Sequence, residues 1–133
     1  MQIVADRFAV TTDDRVIDLA TGGAVTLRIG TGGSVGEQAR WSMRCDALHK
    51  LHHPTLAALA DYGALGESQR FEAWCCGSRW AGAPEVADRS VGAATALLTA
   101  CALSVGELSA TDVHDREGRA VVVVEGTEAP ELG

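Results

Sequence analysis

The chain is poor in the residues that bind nucleic acid. Of its 133 residues only one is lysine, Lys50, and 18 acidic residues outnumber 11 lysine and arginine residues, which gives a formal net charge of −7. Phosphate neutralisation needs clustered cationic side chains, so this composition argues against general nucleic-acid binding. We therefore expect no direct nucleic-acid partner.

Long apolar runs and aromatic residues are also scarce. The longest apolar run, residues 91–105, contains Ser and Thr and is shorter than the roughly 20 residues that span a bilayer. The N-terminus has no basic region followed by an apolar stretch, as a signal peptide would have. We expect a cytoplasmic protein without a membrane partner. Since aromatics make up 5% of a chain that is 47% hydrophobic, Val, Leu and Ala must fill most of the core.

The four cysteines do not form a recognisable metal or disulfide pattern. Cys45, Cys75, Cys76 and Cys101 lack the paired spacing of a zinc site, and neighbouring Cys75 and Cys76 cannot bridge each other without strain. Cys45 and Cys101 lie in apolar helical patterns, which predicts buried free thiols. No metal and no cofactor are expected.

The N-terminal half of the chain is predicted to form strands around one helix. Alternating and β-branched residues separated by turn residues predict strands over residues 8–12, 15–19 and 24–29. The glycine-rich segment 30–36 lacks the Lys-Ser/Thr of a phosphate-binding loop and predicts a flexible connection. A helix is expected from Glu37 to the residues before Pro54, because a proline disfavours helical backbone in the residue that precedes it.

The second half predicts two more strands, a helix and a hairpin. Strands are expected at 56–62 and 70–75, a helix at 85–103 and a hairpin at 112–124. The second half of that helix is apolar almost all round, which favours burial in this domain or against a partner. The expected fold is α+β, in one domain of residues 1–133. Residues 1–77 are expected to form an antiparallel five-stranded sheet with a packed helix, and residues 78–133 a connector, a helix and a β-hairpin.

This order of elements and several short motifs resemble the small lobe of a protein kinase. Residues 18–28 are similar to its second and third strands, and Leu-His-His-Pro at 51–54 is similar to the turn after its regulatory helix. Residues 71–77 resemble the fifth strand and the hinge. Residues 105–113 resemble a degraded catalytic loop, followed by the Asp-Arg-Glu-Gly-Arg turn at 115–119. The resemblance implies a kinase-like domain, with the middle of the family's fold compressed.

The resemblance also implies that the nucleotide-binding positions have changed. The glycine-rich loop would lie at 11–14, where the sequence is Thr-Thr-Asp-Asp. The strand lysine becomes Arg28, and the alanine that packs on adenine becomes Thr26. The glutamate of the regulatory helix falls at Arg44, so Arg28 and Arg44 would repel each other instead of forming an ion pair.

The catalytic-loop positions have changed in the same way. The base aspartate aligns with Glu107, the lysine with Ser109, and the metal-binding asparagine with Asp112. The metal-binding aspartate aligns with Val124, although a shift of one residue would place Glu125 there. No catalytic residue is therefore assigned.

Three functions remain open from the sequence. The first is a non-catalytic, pseudokinase-like module for regulation or protein binding, placed at the N-terminus of a longer bacterial signalling or transcription regulator. Its partner would be another protein, a downstream domain of the same polypeptide or a second copy. The second is a small-ligand sensor that uses the hinge cleft at Ala73, Trp74 and Cys75. The third is an enzyme of another class, for which the reactive groups would be Glu107, Asp112, His114 and Cys75.

Overall fold

The computed structural model describes residues 2–11, 13, 15–103 and 107–124. These residues form a mixed α+β fold. The elements in chain order are β1 (Gln2–Val4), β2 (Phe8–Val10), β3 (Val16–Asp18), β4 (Ala24–Thr31), α1 (Val35–Lys50), β5 (Ala58–Leu65), β6 (Gln69–Cys75), α2 (Pro84–Ala100), β7 (Val113–Arg116) and β8 (Arg119–Val122). The predicted fold class, a sheet with a packed helix followed by a helix and a hairpin, is confirmed.

The main sheet is antiparallel and has six strands, one more than expected. Its order is β1-β2-β3-β4-β6-β5, and β7 and β8 form a separate hairpin. The additional strand pairs Val4 with Phe8 through a tight turn in which Ala5 and Asp6 have φ values of 52° and 57°. Three residues are too few for an alternation pattern, and Ala at a left-handed position gives no turn signal. The sequence therefore did not predict this strand.

The start of β5 and the end of α2 differ from those expected. Strand β5 begins at Ala58 because Leu56 instead bridges to Val122, and the Ala57 N–H donates to the Val122 carbonyl at 2.9 Å. Helix α2 ends at Ala100, where the prediction ran to residue 103. Ala102 has a φ of 55°, and left-handed backbone cannot continue a helix.

Helix α1 starts two residues earlier than predicted because a serine caps it. The Ser34 side chain accepts the Glu37 N–H at 3.2 Å, and the Glu37 carboxylate accepts the Ser34 N–H at 3.4 Å. This reciprocal pair satisfies two backbone donors that a helix leaves open at its start. The end of the predicted glycine-rich connection is thus an ordered helix start.

The two faces of the sheet carry two separate cores. Successive residues of a strand point to opposite faces, so Phe71 and Ala73 of β6 join Phe8 in one core while Trp74 joins the other. The larger core collects the buried side chains of α1, α2 and the β7–β8 hairpin, including Val124. The hairpin packs against α2 and shares this core with side chains of the main sheet.

Helix α2 is buried along one face only. Its buried side chains are Ala87, Ala94 and Leu98, whereas Ala93 and Ala96 are exposed. The expected all-round burial within the domain is therefore wrong for the described residues. Cys101, predicted to be buried, is exposed at the end of this helix. Among the helices described, none has both the length and the apolar character needed to cross a bilayer.

Candidate functional site

The predicted hinge, residues 73–77, is closed by contacts within the chain. The Gly77 N–H donates to the Asp115 carbonyl at 2.7 Å. The Gly77 carbonyl accepts the Thr26 hydroxyl at 3.0 Å and the His114 Nδ1–H at 3.0 Å. Both backbone groups of Gly77 are therefore satisfied by neighbouring strands, β4 on one side and β7 on the other.

The backbone after Gly77 continues this pairing with β7. The Asp115 N–H donates to the Ser78 carbonyl at 2.8 Å, and the Trp80 N–H donates to the Val113 carbonyl at 2.9 Å. These bonds, with those of Gly77, attach the β7–β8 hairpin to the hinge along its length. A ligand that recognised the hinge by its backbone groups would have to displace the hairpin.

His114 fills the space where the hairpin meets the hinge. Its side chain is 3% exposed, and its Nε2 atom is buried with no hydrogen-bond partner among the described residues. A buried polar atom left unpaired costs about 1–3 kcal/mol. The imidazole is therefore held in the hinge contact at some cost in stability.

The residues predicted to line the ligand cleft are mostly inside the protein. Ala73 and Trp74 are 0% and 1% exposed, and only Cys75 borders open space. That space is a cavity of about 450 Å³ on the outer side of the hinge, between the turn after β3 and the turn of the β7–β8 hairpin. Burial raises the pKa of the Cys75 thiol, which opposes a nucleophilic role for it at neutral pH.

Arg28 lies directly opposite Glu72 on the neighbouring strand β6, which sequence reasoning overlooked as a site residue. Glu72 is 7% exposed, and its carboxylate accepts the indole N–H groups of Trp41 at 2.8 Å and of Trp74 at 3.1 Å. The sequence did contain a signal for this residue, because Glu72 is the single acidic residue in the apolar strand 71–75. The expected repulsion between Arg28 and Arg44 stays a prediction.

Two of the predicted catalytic-loop positions serve to cap a turn. Ser109 caps the 3₁₀ turn Ala110–Asp112, and the Asp112 carboxylate accepts the Ser109 N–H at 2.8 Å. Glu107 is exposed, whereas Val124 is 1% exposed in the larger core. Ser109 and Asp112 are thus engaged in a turn cap and Val124 is buried, while Glu125 lies outside the described residues.

Two of the other reactive groups named from the sequence take part in structural contacts. His114 is held in the hinge and Asp112 in the turn cap. Within the described ranges, no three His, Cys, Asp or Glu side chains come together as a metal site. Burial raises the pKa of the Cys45 thiol to about 12, which makes it unreactive at neutral pH.

Comparison with known proteins supports the fold alone. No protein-family model matches the chain, and no curated protein matches it. In contrast, 321 chains of known structure match. One of them is the crystal structure of Rad53 1–466 in complex with AMP-PNP, with a TM-score of 0.63 and 15% sequence identity. The match covers 92% of this chain and 36% of that chain, so this chain spans about a third of that kinase's length. The antiparallel sheet with its packed helix fits a kinase N-lobe-like fold.

Proposed function

We propose that the chain is a non-catalytic, kinase-like module that acts in regulation by binding another protein, a second copy of itself or a further domain of its own polypeptide. The observation that carries this proposal is the closed hinge. Gly77 has its N–H bonded to Asp115 and its carbonyl bonded to Thr26 and His114, so the backbone groups that would hold a nucleotide base are already used.

The positions matched to the phosphate and metal groups support the same proposal. Kinase catalysis depends on placing metal ions and phosphates through specific side chains. Here the position of the metal-binding aspartate is the buried Val124, and Asp112 is engaged in a turn cap. Val124 has no side-chain atom that could bind a metal ion, and the Asp112 carboxylate is already an acceptor in the cap, which supports the proposed loss of catalysis.

Nucleotide binding is the experiment that tests the closed hinge on which this proposal rests. We expect the unfolding temperature of the full chain to stay unchanged in millimolar ATP or ADP with Mg²⁺. A ligand at 100 times its Kd would stabilise the folded protein by about 2.7 kcal/mol, which a thermal shift detects readily. A rise in the unfolding temperature that grows with nucleotide concentration would contradict the proposal.

The partner role needs a separate measurement. We expect the chain to self-associate over a wide concentration range in analytical ultracentrifugation, or to bind a companion domain from the same polypeptide in calorimetry. If it stays monomeric throughout and binds no such domain, the partner role is contradicted, whatever the nucleotide result.

A small-ligand sensor is the second candidate, and the cavity beside the hinge favours it. Its volume of about 450 Å³ lies within the range of about 300–1,000 Å³ that is usual for ligand sites. Cys75 and Arg116 both border it. A screen of planar metabolites by thermal shift tests this alternative, with Arg116→Ala as the control variant that should abolish any shift found.

A further inference from the structure

A buried carboxylate on the sheet connects helix α1 to strand β6. Glu72 accepts the Trp41 indole N–H from α1 at 2.8 Å and the Trp74 indole N–H from its own strand at 3.1 Å. Hydrogen bonds to a charged group in a buried place are stronger than those between neutral groups. The position of Trp41 is therefore fixed to the sheet by its polar end as well as by packing.

Trp41 is the first buried side chain of α1. The buried residues of this helix are Trp41, Cys45 and Leu48, and all of them lie in its middle and second half. Residues 35–40 are exposed or half-buried, and Val35 is 90% exposed. Trp41 is thus the first residue of α1 whose buried side chain attaches the helix to the sheet.

A space separates this first half of the helix from the sheet. The cavity measures about 720 Å³ and is lined by Val35 and Ala39 of α1, by Tyr62 and Ala64 of β5, and by Trp41. The space is an open groove, so on this side the helix has few packed atoms to oppose a small shift.

The second half of α1 has additional attachments. The Tyr62 hydroxyl donates to the Asp46 carboxylate at 2.6 Å, and the His49 Nδ1–H donates to the Leu59 carbonyl at 2.7 Å. Both bonds join the helix to β5 beyond Trp41. Loss of the Trp41 contact should therefore release the first half of the helix and leave the second half in place.

We propose that Glu72, through Trp41, holds the first half of α1 in a single position beside this groove. Glu72 acts as a positioning residue and Trp41 as its contact on the helix. The inference concerns the mobility of α1 and holds independently of whether the chain is catalytic.

Hydrogen exchange of the full chain tests the proposal with a matched pair of variants. Trp41→Phe removes the bond from the helix to Glu72, whereas Trp74→Phe removes a bond to the same carboxylate from within the sheet. We expect Trp41→Phe to accelerate amide exchange in residues 37–42 about tenfold, which corresponds to about 1.4 kcal/mol. Glu72→Gln should do the same, because an amide places its NH₂ group against one of the two indole donors.

The Trp74→Phe control and the protection of the sheet strands show whether the faster exchange is confined to α1. Trp74→Phe should leave exchange in residues 37–42 within about twofold of the wild-type rate, and all three variants should retain the wild-type protection of β2 and β3. Equal effects of Trp41→Phe and Trp74→Phe on α1, or no acceleration in Trp41→Phe, would overturn the proposal. A uniform acceleration in every element would overturn it too, since Glu72 would then support the whole fold.

Discussion

Asp18 is the charged side chain that secures the first strands of the sheet. It is 1% exposed, and its carboxylate accepts the Arg7 Nε–H and Nη2–H at 2.8 Å each, together with the Ala20 N–H at 2.9 Å. These bonds, with those to Arg7 the strongest, lower the pKa of Asp18 from 3.8 to about 2. The two bonds between Arg7 and Asp18 join the turn after β1 to the end of β3.

The lowered pKa predicts a particular loss of stability in acid. A carboxyl group with a lower pKa in the folded state stabilises that state above its unfolded pKa of 3.8, and this contribution is lost as the pH falls toward 2. We expect Arg7→Ala to reduce the free energy of unfolding at neutral pH by about 2 kcal/mol. It should also flatten the decline between pH 4 and 2 that urea titrations reveal in the wild type.

Asp18→Asn serves as the companion variant, because it removes the titrating group and keeps the side-chain shape. Its stability should change less over the same acid interval than that of the wild type. If Arg7→Ala shows the wild-type decline in acid, the bond between Arg7 and Asp18 does not lower the pKa of this carboxyl group.

At the scale of elements, the start of α1 depends on one exposed serine. Ser34 and Glu37 form the reciprocal cap, and their bonds lower the pKa of Glu37. Ser34→Ala should cost about 1 kcal/mol, because it removes the acceptor for a backbone N–H at the helix start. Chemical denaturation followed by circular dichroism measures this change.

Ser34→Asp is the matched control for the cap, since aspartate also accepts from the backbone and suits the positive end of the helix dipole. It should leave the stability close to that of the wild type. Equal losses in Ser34→Ala and Ser34→Asp would mean that the cap does not support α1.

Helices and strands were predictable where a sequence pattern extends over several residues. They were less predictable where a single contact sets the start or the existence of an element. The alternation at 70–75 and the spacing of Trp41, Cys45 and Leu48 gave β6 and α1. The short strand β1 depends on left-handed backbone at Ala5, and the start of β5 depends on Leu56 bridging to the distant hairpin. Neither contact has a local sequence signal.

At the same scale, the candidate site was only partly predictable. The substitutions at Thr26 and Val124 were evident in the sequence. The closure of the hinge was not, because it arises from the pairing of Gly77 with Asp115, which lies 38 residues away in the chain (115 minus 77). Likewise, Glu72 could be seen as an acidic residue in an apolar strand, but its two indole donors come from α1 and β6 together.

Across the whole molecule, the closed hinge and the changed side chains are separate obstacles to nucleotide binding. A variant with Thr26→Ala, Arg28→Lys and Arg44→Glu restores the kinase residues on β4 and α1. Backbone bonds would still join Gly77 to Asp115 and Ser78 to the same residue, because these bonds do not depend on the substituted side chains. We therefore expect this triple variant to show no thermal shift with ATP and Mg²⁺.

The single variant Thr26→Ala separates the two obstacles. It removes the hydroxyl that donates to the Gly77 carbonyl, so it should lower the free energy of unfolding by about 1 kcal/mol without creating nucleotide binding. If the triple variant gains a nucleotide-dependent rise in unfolding temperature that Thr26→Ala lacks, the changed side chains alone had prevented nucleotide binding. The pairing of the hinge with the hairpin would then be compatible with an occupied cleft, and the proposed function would lose the observation on which it depends.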